Sequence, residues 1–147
     1  MAKYLIVAHQ TVTNPYLLDK LQQRRGADPA AEFTLLVPAT PIHHLLFFKG
    51  SHTQAESVAR ELADKAQQRF REESLPVTET RVGADNPLDA IDAELTAHPD
   101  YAGIVISTLT EEHSRWLLLD LPQHVEATYN LPIHHVVGLP DLESDAY

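Results

Sequence analysis

The 147-residue chain contains no cysteine, so disulfides, thiolate metal sites and cysteine nucleophiles are excluded, and a reducing cytoplasm is the expected compartment. Glycine is scarce, at five residues, and none sits in a Walker-type loop, a dinucleotide-binding fingerprint or a nucleophile elbow. Basic residues are outnumbered, 11 Lys and Arg against 21 Asp and Glu, for a formal net charge of -10. That balance argues against nucleic acid and anionic membrane as partners, because both require basic surface to neutralise phosphates. It also works mildly against a polyanion such as ATP. Long apolar runs are missing too. The stretch that opens the chain, Tyr4 to Ala8, is too short for a signal-peptide core or a membrane span, so the chain reads as soluble.

Nine histidines are present, yet metal-ligand spacing is not. His43-His44 and His134-His135 are adjacent pairs, and neighbours in an extended segment point to opposite faces, so neither pair chelates by itself. No His-Glu-x-x-His occurs, and no metal is expected. Glu112, His113 and Ser114 are consecutive, but nucleophile, base and orienter are defined by spatial geometry, so no catalytic residue is assigned.

What is there is an alternation of strands and helices in a single domain over residues 1–138, followed by an acidic tail over 139–147. Lys3 to Ala8 is apolar without alternation, as suits a strand covered on both faces, and His9, Gln10 and Thr11 follow at its carboxyl end. Asn14-Pro15 is a cap and first-turn pair opening a helix to Arg25, with Leu17, Leu18 and Leu21 on one side. Glu32 to Val37 is a second strand. Residues 39–53, with Leu45, Leu46, Phe47 and Phe48, form a connector long enough to cover a crevice or to bury against a partner. From Gln54 to Glu73, Ala55, Val58, Ala59, Leu62, Ala63, Ala66 and Phe70 make a helical stripe. Val77 to Val82 alternates and carries charge, which predicts an edge strand. Gly83 to Pro87 repeats the cap-plus-proline start of a helix running to about Ala97.

The remaining block, Ile104 to Val137, organises the rest. Ile104-Val105-Ile106-Ser107 reads as a central strand ending at Ser107, and a loop follows. Asp120-Leu121-Pro122-Gln123 reads as a helix start with an aspartate cap. Leu121 and Val125 are its inward positions, with Thr128 a further candidate, and Ile133 to Val137 is a last strand. Two fully apolar strands, the first and fourth, belong in the middle of the sheet. The expected fold is therefore a doubly wound α/β sandwich of three layers, with five parallel strands in order 3-2-1-4-5 and about four helices.

The order of elements and the block Ile104 to Val137 resemble the universal stress protein family, whose fold is a Rossmann-like α/β sandwich that commonly forms homodimers. Nucleotide-binding members carry a glycine at the strand end, another three residues on, then nine residues, then glycine followed by serine or threonine. Here those positions hold Ile106, Leu109, Leu119 and Asp120. In that family the position of His9 is usually acidic and meets the adenine or ribose. The resemblance thus implies a divergent member without the ATP motif. Leu109 and Leu119 would crowd a phosphate, and Asp120 supplies a carboxylate of its own at the helix N-terminus.

The crevice at the switch point between the first and fourth strands is the expected ligand site. Its candidate ligand-binding residues are His9, Gln10, Val37, Gly83, Ser107, Thr108, Ser114 and Arg115, with Arg115 able to fork onto a phosphate or carboxylate or to pair with Glu111, Glu112 or Asp120. Trp116 reads as a core or interface anchor. The expected function is a non-enzymatic, homodimeric stress-response or regulatory module with no cofactor. The alternative is a sensor of ATP, another adenine nucleotide or a small anion; a hydrolase at the same crevice ranks third. A protein partner is the other open possibility, and histidines on the last strand would make a dimer seam there sensitive to pH.

Overall fold

A computed structural model describes residues 2–9, 11–39, 52–109 and 121–138. Five strands, β1 (Lys3–Val7), β2 (Glu32–Pro38), β3 (Val77–Gly83), β4 (Gly103–Leu109) and β5 (Ile133–Gly138), form one parallel sheet in the order β3-β2-β1-β4-β5. Four helices are described: α1 (Pro15–Ala27), α2 (His52–Glu72), α3 (Pro87–Ala97) and α4 (Leu121–Tyr129). This is the expected Rossmann-like layout. β3 is an edge, as its charged alternation predicted, and the chain reverses its winding between β1 and β4.

The absence of polar alternation in the central strands has a direct consequence, because successive side chains point to opposite faces and both faces need cover. Ile6, Ala8, Phe33, Leu35, Val37 and Val105 lie on one face, beneath α1 and α2. Leu5, Val7, Leu36, Ile104 and Ile106 lie on the other, where Ala90, Ile91 and Leu95 of α3 and Leu121 and Val125 of α4 cover them. In α2 the stripe that touches the sheet is mostly alanine, Ala55, Ala59, Ala63 and Ala66 with Phe70 at its end, which lets the helix axis approach closely.

Local chemistry starts and stops the helices. Asn14 and Asn86 are the N-caps of α1 and α3, each with a side-chain oxygen 2.9 Å from the amide two residues on, and each is followed by proline. Ser74 and Asn130 take left-handed backbone, φ 55° and 53°, at the exits of α2 and α4. Three expectations need correction. β4 continues two residues beyond Ser107, because Thr108 and Leu109 pair with Val137 and Gly138 of β5. Helices α1 and α2 are displaced by about one turn or less at their ends, to Ala27 and to His52. Thr128 is exposed, and its hydroxyl donates to the His124 carbonyl at 2.7 Å. The 39–53 connector beyond Ala39, Asp120 and the 139–147 tail lie outside the described residues, apart from the start of α2.

Candidate functional site

The carboxyl ends of β1 and β4 are joined by a hydroxyl pair. After β1 the chain turns twice, with the Val12 amide donating to the His9 carbonyl and the Asn14 amide to the Thr11 carbonyl. These turns bring the Thr11 hydroxyl to 2.6 Å from that of Ser107, and both residues are buried. The two hydroxyls at the switch point therefore satisfy each other.

His9 is buried as well, 7% exposed, and its Nε2 has no hydrogen-bond partner among the described residues. Burial lowers its pKa from 6.5 to about 4, so the imidazole is neutral across the physiological range. A buried ring nitrogen without a partner costs roughly 1–3 kcal/mol relative to a satisfied one. Thr108, also buried, places its hydroxyl 2.8 Å from Nε2 of His135 on β5. Burial lowers the His135 pKa.

Two other candidates have packing roles. Val37 is fully buried in the core beneath α1 and α2, where it touches no crevice solvent. Gly83 ends β3 where α3 crosses: an added Cβ would stand 2.7 Å from Cβ of Ala90 and 3.0 Å from Cδ1 of Leu36. Its carbonyl accepts from the Ala39 amide at 3.1 Å, tying the exit of β2 to that of β3. Glycine is thus required for close approach of helix to sheet. Gln10, Ser114, Arg115 and Trp116 lie outside the described residues, as do Leu119, Asp120 and the His43-His44 pair.

Sequence reasoning missed Thr11 and His135 as members of this cluster. Thr11 was visible only as one more polar residue after a strand, and its partner is 96 positions away. Nor did it anticipate that His134, on the opposite face of β5 as strand alternation places it, accepts from Arg24 of α1 at 2.8 Å. The Arg24 guanidinium in turn lies 5.2 Å from the centroid of the Tyr4 ring. Burial first, then the Arg24 and Lys20 charges, lower the His134 pKa.

Among the described residues no group of three or more His, Asp or Glu could hold a metal ion, and no helix is long and apolar enough to cross a membrane. No protein-family model matches the chain, and no curated protein sequence matches it. Among the described residues, the strand ends offer a paired hydroxyl floor, one neutral imidazole whose Nε2 has no partner there and a second imidazole engaged by Thr108.

Proposed function

We propose that the chain is a non-enzymatic regulatory or stress-response module of the universal stress type, working in the cytoplasm as a homodimer and without bound ATP. The observation that carries this reading is the buried Thr11–Ser107 hydroxyl pair at the switch point, where a ligand-binding crevice would present free polar groups. Sequence adds to it. Leu109 and Leu119 stand where glycines would admit a phosphate, and the Asp120 carboxylate repels one. A net charge of -10 points the same way.

One observation favours a second reading, a sensor of a nucleotide or another small anion: the Nε2 of His9, beside the same crevice, has no hydrogen-bond partner among the described residues. Thermal unfolding with ATP, ADP, AMP and a cyclic dinucleotide separates the two, with wild type and Arg115→Ala run in parallel. No shift is expected with any nucleotide. Stabilisation of about 2.7 kcal/mol at a hundredfold excess over Kd, lost in Arg115→Ala, would replace the ligand-free reading with the sensor.

A further inference from the structure

One face of α1 is at odds with the charge of the chain. Acids outnumber bases by 21 to 11, yet Lys20 and Arg24 stand one turn apart on the same side of that helix. Among the described residues neither has a carboxylate within ion-pair distance, the ion pairs there belonging to Lys3, Arg69 and Arg81. Asp19, next to Lys20, accepts from Gln23 instead. Arg24 is held from two sides by uncharged groups: its Nη2 donates to Nε2 of His134 at 2.8 Å, and its guanidinium lies 5.2 Å from the centroid of the Tyr4 ring. Burial first, then the charges of Arg24 and Lys20, lower the His134 pKa, so both cations stand close to that ring and neither is neutralised by it. The helix dipole favours Arg24 in the last turn but not Lys20 a turn earlier.

The same side of α1 leads back to the end of β5. Tyr16, one turn before Lys20, is 52% exposed. Gly138 closes β5 against Asn14, where an added Cβ would stand 2.6 Å from the Asn14 Nδ2. The chain therefore leaves the sheet at the Tyr16 end of a stripe, Tyr16, Lys20 and Arg24, whose far end meets His134. Beyond Pro140 the sequence reads Asp141-Leu142-Glu143-Ser144-Asp145, with an acid at every second position. Alternate side chains of an extended segment share one side and recur about every 6.7 Å, while the stripe residues recur about every 6 Å along the helix axis. Two successive carboxylates thus match two successive cations to within about 1 Å. Leu139-Pro140 supplies the reversal, since proline suits the turn that a chain leaving β5 needs to run back along α1.

We propose that the Tyr16, Lys20 and Arg24 face of α1 is the docking surface for the acidic run 141–145 of the same chain, with Glu143 against Lys20 and Asp145 against Arg24. The Arg24 guanidinium keeps donors for a carboxylate beyond the one that His134 accepts. His134 and the Tyr4 ring hold that guanidinium in place beforehand, so little of its freedom is lost on docking. Exposed ion pairs are individually weak. The tether offsets that weakness, because so short a link holds the run at an effective concentration on the order of millimolar. While it is occupied, this face is closed to acidic segments of other proteins. The docking belongs to the α1 side of the sheet and is independent of whether the crevice takes a ligand.

Because the chain has no cysteine, Ser144→Cys introduces a single thiol, which carries a nitroxide label into the full chain while every acid and base stays in place. In isotope-labelled protein at about 0.01 M salt, the amide signals of Lys20, Arg24 and His134 are expected to broaden, and those of Asp92 and Ala93 on α3, across the sheet, to remain sharp. At about 1 M salt, where the screening length falls to about 3 Å, the broadening is expected to be lost. Lys20→Glu, with unchanged circular dichroism, is expected to lose it at low salt as well, and Lys20→Arg to keep it. No preferential broadening at low salt would overturn the proposal, as would broadening that survives both high salt and Lys20→Glu. Broadening in an isotope-labelled chain without nitroxide, mixed with an unlabelled chain that bears it, would assign the acidic run to a second copy and overturn docking within one chain.

Discussion

Between α3 and the sheet, the Glu94 carboxylate is buried, and its Oε2 accepts from Nη1 of Arg81 at 2.8 Å and from the Tyr101 hydroxyl at 2.7 Å. At the carboxyl ends of β1 and β4, by contrast, the buried polar groups among the described residues are neutral: two hydroxyls satisfy each other, and the His9 Nε2 has no partner there. The charged cluster has a counter-charge and two directed donors. Among the described residues the neutral cluster has no counter-charge, and burial favours the uncharged form of His9. The first is built as a brace; the second leaves one group unsatisfied, which is where a ligand or a structural cost must be sought.

The comparison breaks most sharply at Glu94. Glu94→Ala removes the buried acceptor of the Tyr101 hydroxyl and of Arg81, which keeps its pair with Glu79, and is expected to destabilise the protein by about 3 kcal/mol in chemical denaturation. If the loss were under about 1 kcal/mol, the cluster would not be a brace. Tyr101, whose pKa burial and then the Glu94 carboxylate push up to about 12, should remain un-ionised well above pH 10 in an ultraviolet titration.

The next effect belongs to His9 and to pH. Its folded pKa, about 4, lies below the unfolded value of 6.5, so above pH 6.5 both states are neutral and the group adds no pH dependence. As pH falls below 6.5 the unfolded chain binds a proton that the folded one refuses. Stability is then lost progressively down to about pH 4, by about 3 kcal/mol in all. His9→Leu should flatten that part of the stability profile, and an unchanged wild-type slope in the variant would show that other groups set it.

Smaller effects test the packing around the crevice. Gly83→Ala forces a methyl against Ala90, a side chain with no freedom to move aside, and should cost about 1–3 kcal/mol in thermal unfolding. Ser107→Ala removes one partner of the hydroxyl pair and leaves Thr11 unsatisfied. A loss of about 1–2 kcal/mol is expected, with Thr11→Val combined with Ser107→Ala recovering part of it. Failure of that recovery would mean that the pair is held by groups other than each other.

Much of the fold was legible because its signals are local. Asn14-Pro15 and Asn86-Pro87 announce helix starts within two residues, and the alanine stripe of α2 repeats at helical spacing. The unalternating runs of β1 and β4 state that both faces are covered, and charge on β3 states that it is an edge. The site was less legible. His9, Ser107 and Thr108 could be placed at strand ends, since a parallel sheet puts those ends together. That Val37 belongs to the core and Gly83 to the α3 contact depends on which side of the sheet each residue faces and how near the helix lies.

Residue types and their periodicity thus determined by themselves the α/β class, the strand order and the edge position of β3, because burial, capping and edge charge act over a few residues. Only the tertiary structure decided that Thr11 meets Ser107, that Thr108 meets His135 and carries β4 past the expected end, and that Glu94 is braced by Arg81 and Tyr101. Those contacts depend on register and approach between distant segments, and directed hydrogen bonds form or fail over differences of about half an ångström that no local pattern records.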